Sequence, residues 1–115
     1  MIKKASELNV TVREAMKGGP GAVEQIEYFS KEELLNKGRL FGTLTLKPGC
    51  GIGEHQHDGE QEYFYVVKGT ATYNDDGVEV VANAGDCLLC EDGHKHGVVN
   101  KGEEDLVLLA VILLK

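Results

Sequence analysis

The chain has 115 residues, the size of one ordinary domain, so a single fold must carry its function. Its 12 basic against 19 acidic residues give a net charge of −7, which repels phosphate backbones and anionic lipid heads and makes nucleic acid and membrane surfaces poor partners. Three cysteines, an odd number, argue against a disulfide framework and for reduced thiols.

The first residues, MIKKASELNV, carry two lysines with no apolar stretch behind them and no small-residue cleavage site. They do not read as a secretory signal, and a cytoplasmic location is expected. Residues 1–38 are expected to form an arm packed on a single domain that occupies 39–115. Within that arm Lys17 to Gly21 reads KGGPG; it lacks the Gly-Lys-Ser/Thr ending of a phosphate loop, so a flexible turn or lid is expected. Ser30 followed by Glu33 is a capping-box pair, with Leu34 and Leu35 inside and Gly38 as a stop, which predicts a short helix.

From there on, turn-forming clusters alternate with short runs rich in Val, Leu, Thr, Tyr and Phe. The turns are Lys47-Pro48-Gly49, Asp58-Gly59, Asn74 to Gly77, Asn83 to Asp86, Glu91-Asp92-Gly93 and Asn100-Lys101-Gly102. The runs are Leu40 to Leu46, Glu62 to Val67, Thr70 to Tyr73, Val78 to Ala82, Cys87 to Cys90, Gly97 to Val99 and Leu106 to Leu114. Short strands at this spacing predict an all-β sandwich or barrel. The last run is far short of the roughly 20 residues a membrane helix needs. Being apolar at successive positions, it should be buried on both faces, and covering the second face predicts a homodimer packed on this strand or on the N-terminal arm.

Gly53-Glu54-His55-Gln56-His57 sets two imidazoles two residues apart. On a strand they share one face, about 7 Å apart along the backbone, and can converge on one ion; on a helix they would stand roughly 200° apart. Glu62 lies beyond the Asp58-Gly59 turn, where a hairpin return brings it beside them, and His96 follows a later turn. Three imidazoles and a carboxylate suit Fe, Mn, Co, Ni, Cu or Zn and match Mg or Ca poorly. By strand alternation Phe64 and Val66 share the face of Glu62, while Tyr63 and Tyr65 oppose it. Gln56, Gln61 and Asn100 are candidates for orienting the histidines. His94, two residues before His96, is a candidate acid, base or extra ligand, with a solvated turn as the alternative. Cys87 and Cys90 form a CxxC, but on a strand they face opposite ways and cannot clamp one ion, so small buried side chains are expected. Cys50 could face either way; at a barrel mouth it would be reactive.

The segment Gly49 to Gly69 resembles the first motif of the cupin superfamily: Gly49, His55, His57, Glu62 and Gly69 at the family's spacing. Gly85 to Asn100 resembles the second, through Gly85, Gly93, His96 and Asn100, with Glu91 at a turn position that is usually Pro. The resemblance implies a double-stranded β-helix, a jelly-roll barrel, with one divalent transition metal near its mouth and His55, His57, Glu62 and His96 as ligands. The approach LKPGCGIGEHQH is similar to that of small, mostly uncharacterised bacterial cupins. Four protein ligands leave an octahedral ion two open positions for a bidentate carboxylate, hydroxy-acid, enediol or catechol. The leading expectation is a metal-dependent dioxygenase, decarboxylase or isomerase acting on a small polar molecule. The alternatives are a non-catalytic binding or sensing module and a metal-free sugar epimerase or isomerase.

Overall fold

The computed structural model describes residues 1–115. Ten strands account for the ordered frame: β1 (Asn9–Glu14), β2 (Ala22–Glu27), β3 (Gly38–Leu46), β4 (Gly51–Gln56), β5 (Glu60–Lys68), β6 (Thr70–Asp75), β7 (Val78–Asn83), β8 (Cys87–Cys90), β9 (Lys95–Val99) and β10 (Leu106–Leu114). The turn clusters fall between them. At the β6–β7 corner Asp76 and Gly77 both take positive φ, 52° and 95°, the left-handed pair a two-residue hairpin requires.

The strands form two antiparallel sheets, β1-β2-β3-β10-β5-β8 and β4-β9-β6-β7, in a jelly roll. Strand alternation supplies the core between them: Leu40, Leu44 and Leu46 from β3, Phe64 and Val66 from β5, Ala71 and Tyr73 from β6, and Leu106, Leu108, Ala110 and Ile112 from β10. Each fully buried Leu contributes about 1.5–3 kcal/mol by leaving water. β10 is a central strand, paired with β3 on one side and β5 on the other. The expected burial of both its faces is met on one: Leu106, Leu108, Ala110 and Ile112 are buried, Val107, Leu109 and Val111 are half-buried, and Leu113 is exposed.

The N-terminal segment differs from expectation. Residues 30–37 form turns, not a helix. Ser30 and Glu33 do cap each other, Ser30 N–H to Glu33 Oε1 at 2.9 Å and Glu33 N–H to Ser30 Oγ at 3.2 Å. Leu35 and Asn36 then turn left-handed, φ 59° and 57°, and so brief a run cannot repay the cost of nucleating a helix. The helical content here is two short 3-10 turns, Ala5–Glu7 and Met16–Gly18. The rest of the segment adds two strands to the larger sheet, β2 pairing with β3 and β1 with β2.

Two irregularities in strand register bear on the site. In β4, Ile52 pairs with Val98 but His55 with His96, one extra residue on the β4 side. Regular alternation from inward-facing Ile52 would bury Glu54 and Gln56 and turn the histidines out. The bulge reverses that parity beyond Gly53, a common way of re-aiming a side chain. In β3, Ile112 pairs with Leu40 but Leu113 with Gly38, which leaves Arg39 as the extra residue.

Candidate metal centre

The β4 bulge, the turn after it, β5 and β9 bring His55, His57, Glu62 and His96 together at one end of the barrel, their donor atoms all within 4.8 Å of one another. His57, Glu62 and His96 are 3%, 5% and 1% exposed, while His55 is half-buried and forms the open side. The closest approaches are between inward atoms: His57 Nε2 to His96 Nε2 3.0 Å, His96 Nε2 to His55 Nε2 3.2 Å, His57 Nε2 to Glu62 Oε1 3.2 Å and His96 Nε2 to Glu62 Oε1 3.0 Å. Neighbouring donors about an ion at about 2.1 Å stand about 3.0 Å apart, so the spacing fits one transition-metal ion.

The outward nitrogen of every ring is engaged. His55 Nδ1 donates to the Gly53 carbonyl at 2.8 Å, His57 Nδ1 donates to Glu60 Oε2 at 2.5 Å, and His96 Nδ1 meets the Tyr73 hydroxyl at 2.8 Å. Carbonyl and carboxylate can only accept, so the Nε2 atoms of His55 and His57 carry lone pairs directed at the centre. Phe64 stacks on His96 at 5.3 Å between ring centroids and 16° between planes, closing the inner side.

Charge follows the same plan. Burial pushes against ionisation of Glu62, yet the facing imidazoles of His57 and His96, which donate to the carboxylate when protonated at Nε2, outweigh it and hold the carboxyl below its ordinary range. The Glu62 hydrogen bond raises the pKa of His57, and burial lowers that of His55. Glu60 is held down to about 2, chiefly by Arg39. A buried carboxylate beside converging lone pairs has the chemistry to hold a cation.

The other candidates lie elsewhere. His94 is exposed on the outer rim, with Nδ1 3.0 Å from Asp76 Oδ2, and does not join the cluster. Gln56 donates to Asp58 Oδ1 at 2.8 Å and Gln61 to the Tyr63 hydroxyl. Asn100 is fully buried but far from the donors, pinning its loop through the Leu46 and Glu104 carbonyls and the Gly102 N–H. Cys90 is buried as expected, but Cys87, expected to be buried too, is exposed, because strand alternation puts it on the opposite, outer face. Burial raises the Cys90 pKa to about 11. Cys50, half-buried, precedes β4 at the end away from His55 and packs on the core.

KGGPG does not lie over the cluster. It straps the outer side of β4, where Gly51 N–H donates to the Pro20 carbonyl at 2.8 Å. A Cβ on Gly53 would overlap the Lys17 carbonyl. The groove beside the strap, about 430 Å³, is lined by residues such as Glu54, Asn74 and Lys101 and by none of the four donors. The orienting groups are instead Gly53, Glu60 and Tyr73. Period-two alternation could have found Glu60, which shares the face of Glu62, and Tyr73, which shares that of Ala71.

The cupin domain family model matches residues 42–112. The chain is 40% identical over 114 residues to the oxalate-binding protein of Thermotoga maritima, spanning 99% of this chain and 94% of that one. It also superimposes on the crystal structure of a predicted oxalate decarboxylase from Thermotoga maritima with a TM-score of 0.95 and 39% identity, covering all of both chains. A conserved protein with a double-stranded β-helix domain from Klebsiella pneumoniae, at 22% identity and a TM-score of 0.66, covers 99% of this chain and 78% of its own and shares the fold. With two motifs that build one four-donor cluster inside a jelly roll, and a family match over most of its length, the chain belongs to the cupin family.

Proposed function

We propose that this protein holds one divalent transition-metal ion through His55, His57, Glu62 and His96 and uses it to capture a small dicarboxylate of the oxalate type. The observation that carries the reading is the convergence of imidazole nitrogens and one buried carboxylate oxygen at 3.0–3.2 Å, with the outward ring nitrogens tied back. Nitrogen donors favour Mn, Fe, Co, Ni, Cu or Zn over Mg or Ca. A bound ion would supply Lewis acidity and open positions that suit a bidentate dianion. The names of the Thermotoga relatives support oxalate as the first ligand to test. His55, the least buried donor, marks the side from which it enters.

Binding without turnover is favoured over decarboxylation by the state of the neighbouring groups. Splitting oxalate to formate and carbon dioxide requires a proton at the new C–H bond. Glu60 is engaged by Arg39 and His57, Tyr73 by His96, and His94 is on the outer rim. None of these is free to deliver it. A homodimer belongs to the same proposal. The groove on the outer face of β5, β8 and β10, lined by Tyr63, Tyr65, Cys87, Leu89, Leu109 and Val111 among others, contains no charged residue. In a chain of net charge −7, a second copy meets least repulsion there.

The test is metal analysis of protein purified without chelator, then calorimetric titration with oxalate before and after metal removal. We expect about one equivalent of metal, oxalate binding only in the loaded form, and neither in His55→Ala/His57→Ala. Release of formate would reassign the protein as a decarboxylase; failure to take up any supplied ion would overturn the site.

A further inference from the structure

The three histidines are not held alike. The outward nitrogen of His55 meets a neutral carbonyl and that of His96 a neutral hydroxyl, but that of His57 meets the Glu60 carboxylate at 2.5 Å. Glu60 is itself gripped from the other side. Arg39 Nε donates to Glu60 Oε1 at 2.7 Å and Arg39 Nη2 to Glu60 Oε2 at 2.6 Å, a bidentate pair. The two residues belong to strands that do not touch: β3 and β5 are separated by β10. Arg39 reaches across because it is the extra residue of the β3 bulge. It also lies outside residues 42–112, the span matched by the family model. The matched span thus supplies the donors and Glu60, and the segment before it supplies the arginine that grips Glu60.

We infer that Arg39 and Glu60 are positioning residues that fix the ring of His57 and set its strength as a metal donor. The inference rests on the metal site proposed above. A carboxylate accepting from the far nitrogen of a ligating imidazole locks the ring's orientation and makes its inner nitrogen a better donor; loss of such a partner typically costs 10–100-fold in metal affinity. Arg39 holds the carboxylate by two parallel bonds, so it cannot rotate off the ring. A lysine at position 39 keeps the charge but loses the fork.

The experiment measures affinity for Co(II) or Zn(II) by competition with a chromogenic chelator in the parent, Glu60→Gln, Arg39→Lys and the double variant. The Co(II) absorption spectrum and the melting temperature of the metal-free form are recorded alongside. We expect Glu60→Gln to bind about 10–100-fold more weakly with an altered Co(II) spectrum and little change in metal-free melting. Arg39→Lys should shift both readouts in the same direction by less, and the double variant should be no weaker than Glu60→Gln, as two members of one chain require. A parent that binds metal beside a Glu60→Gln protein with matching affinity and spectrum overturns the inference and spares the metal site. A parent that binds no metal overturns both. Should Glu60→Gln not fold, Arg39→Lys, altered at a side chain 47% exposed, decides alone, and an affinity equal to the parent's overturns the clamp.

Discussion

Tyr73 shows how much one hydroxyl can hold at this site. It is 2% exposed, lies edge-on to Phe64 and contacts His96 Nδ1 at 2.8 Å; burial raises its pKa well above the ordinary phenol value, so it stays neutral. Tyr73→Phe keeps the ring and strands a buried imidazole nitrogen, at a cost of about 1–3 kcal/mol. The melting temperature of the metal-free protein should fall, and metal affinity should fall with it because the His96 ring is no longer held. Unchanged values in both would mean that Phe64 stacking alone fixes the ring. The four donors were legible in the sequence because their spacing falls in two compact motifs. Alternation puts Glu60 and Tyr73 on inward faces, but nothing local says which nitrogen they or the Gly53 carbonyl will meet; the amides Gln56, Gln61 and Asn100, candidates for that role, make other hydrogen bonds.

At the scale of elements, the bulge in β4 decides which side of the barrel the histidines face. The extra residue lies at Gly53-Glu54, and the KGGPG strap passes so close that position 53 admits no Cβ. Gly53→Ala should therefore displace the strap or the bulge, lowering the melting temperature by several degrees, since about 1 kcal/mol shifts a domain of this size by roughly 4–8 °C. Metal affinity should drop as well, because the same residue's carbonyl holds His55. Full affinity in a destabilised Gly53→Ala protein would separate the strap from the site. The turn at 30–37 offers a different check. Hydrogen bonds from Lys3 and then Ser30 hold Glu33 below its ordinary value of 4.5. A depressed folded pKa adds stability that is present above the unfolded value and lost as pH falls through the folded one. The stability gap between the parent and Glu33→Gln should thus be open at neutral pH and close below about pH 4.5. Strands with alternating Val, Leu, Thr and Tyr were readable from sequence to within two residues of their ends. β1 and β2 were not read as strands, for the first buries nothing and the second alternates poorly, and the capping pair at 30–33 predicted a helix that the following residues do not continue.

The whole molecule leaves apolar surface that a lone copy does not explain. β1 buries none of its six residues, with Val10 56% and Val12 63% exposed, yet it is ordered as the edge of the larger sheet. On the same sheet's outer face, Tyr65, Val67, Leu89 and Leu113 stand 43%, 49%, 41% and 43% exposed around the uncharged groove. The sequence anticipated a second cover from the unbroken apolar run of β10, though one face of that run proved to be core and the other only half-buried. If two copies pack on this surface, light scattering at micromolar concentration should return twice the 12.5 kDa chain mass, and the mass should fall towards one copy on dilution. Leu109→Arg puts a charge into the groove and, in a dimer, opposes its own copy across the two-fold axis. The monomer it yields should keep its metal, since Leu109 faces away from the four donors. A parent that runs at one chain mass at every concentration would sink the dimer and leave the groove as bare sheet surface; a Leu109→Arg monomer that also loses metal would mean that the second copy helps hold the barrel mouth in place.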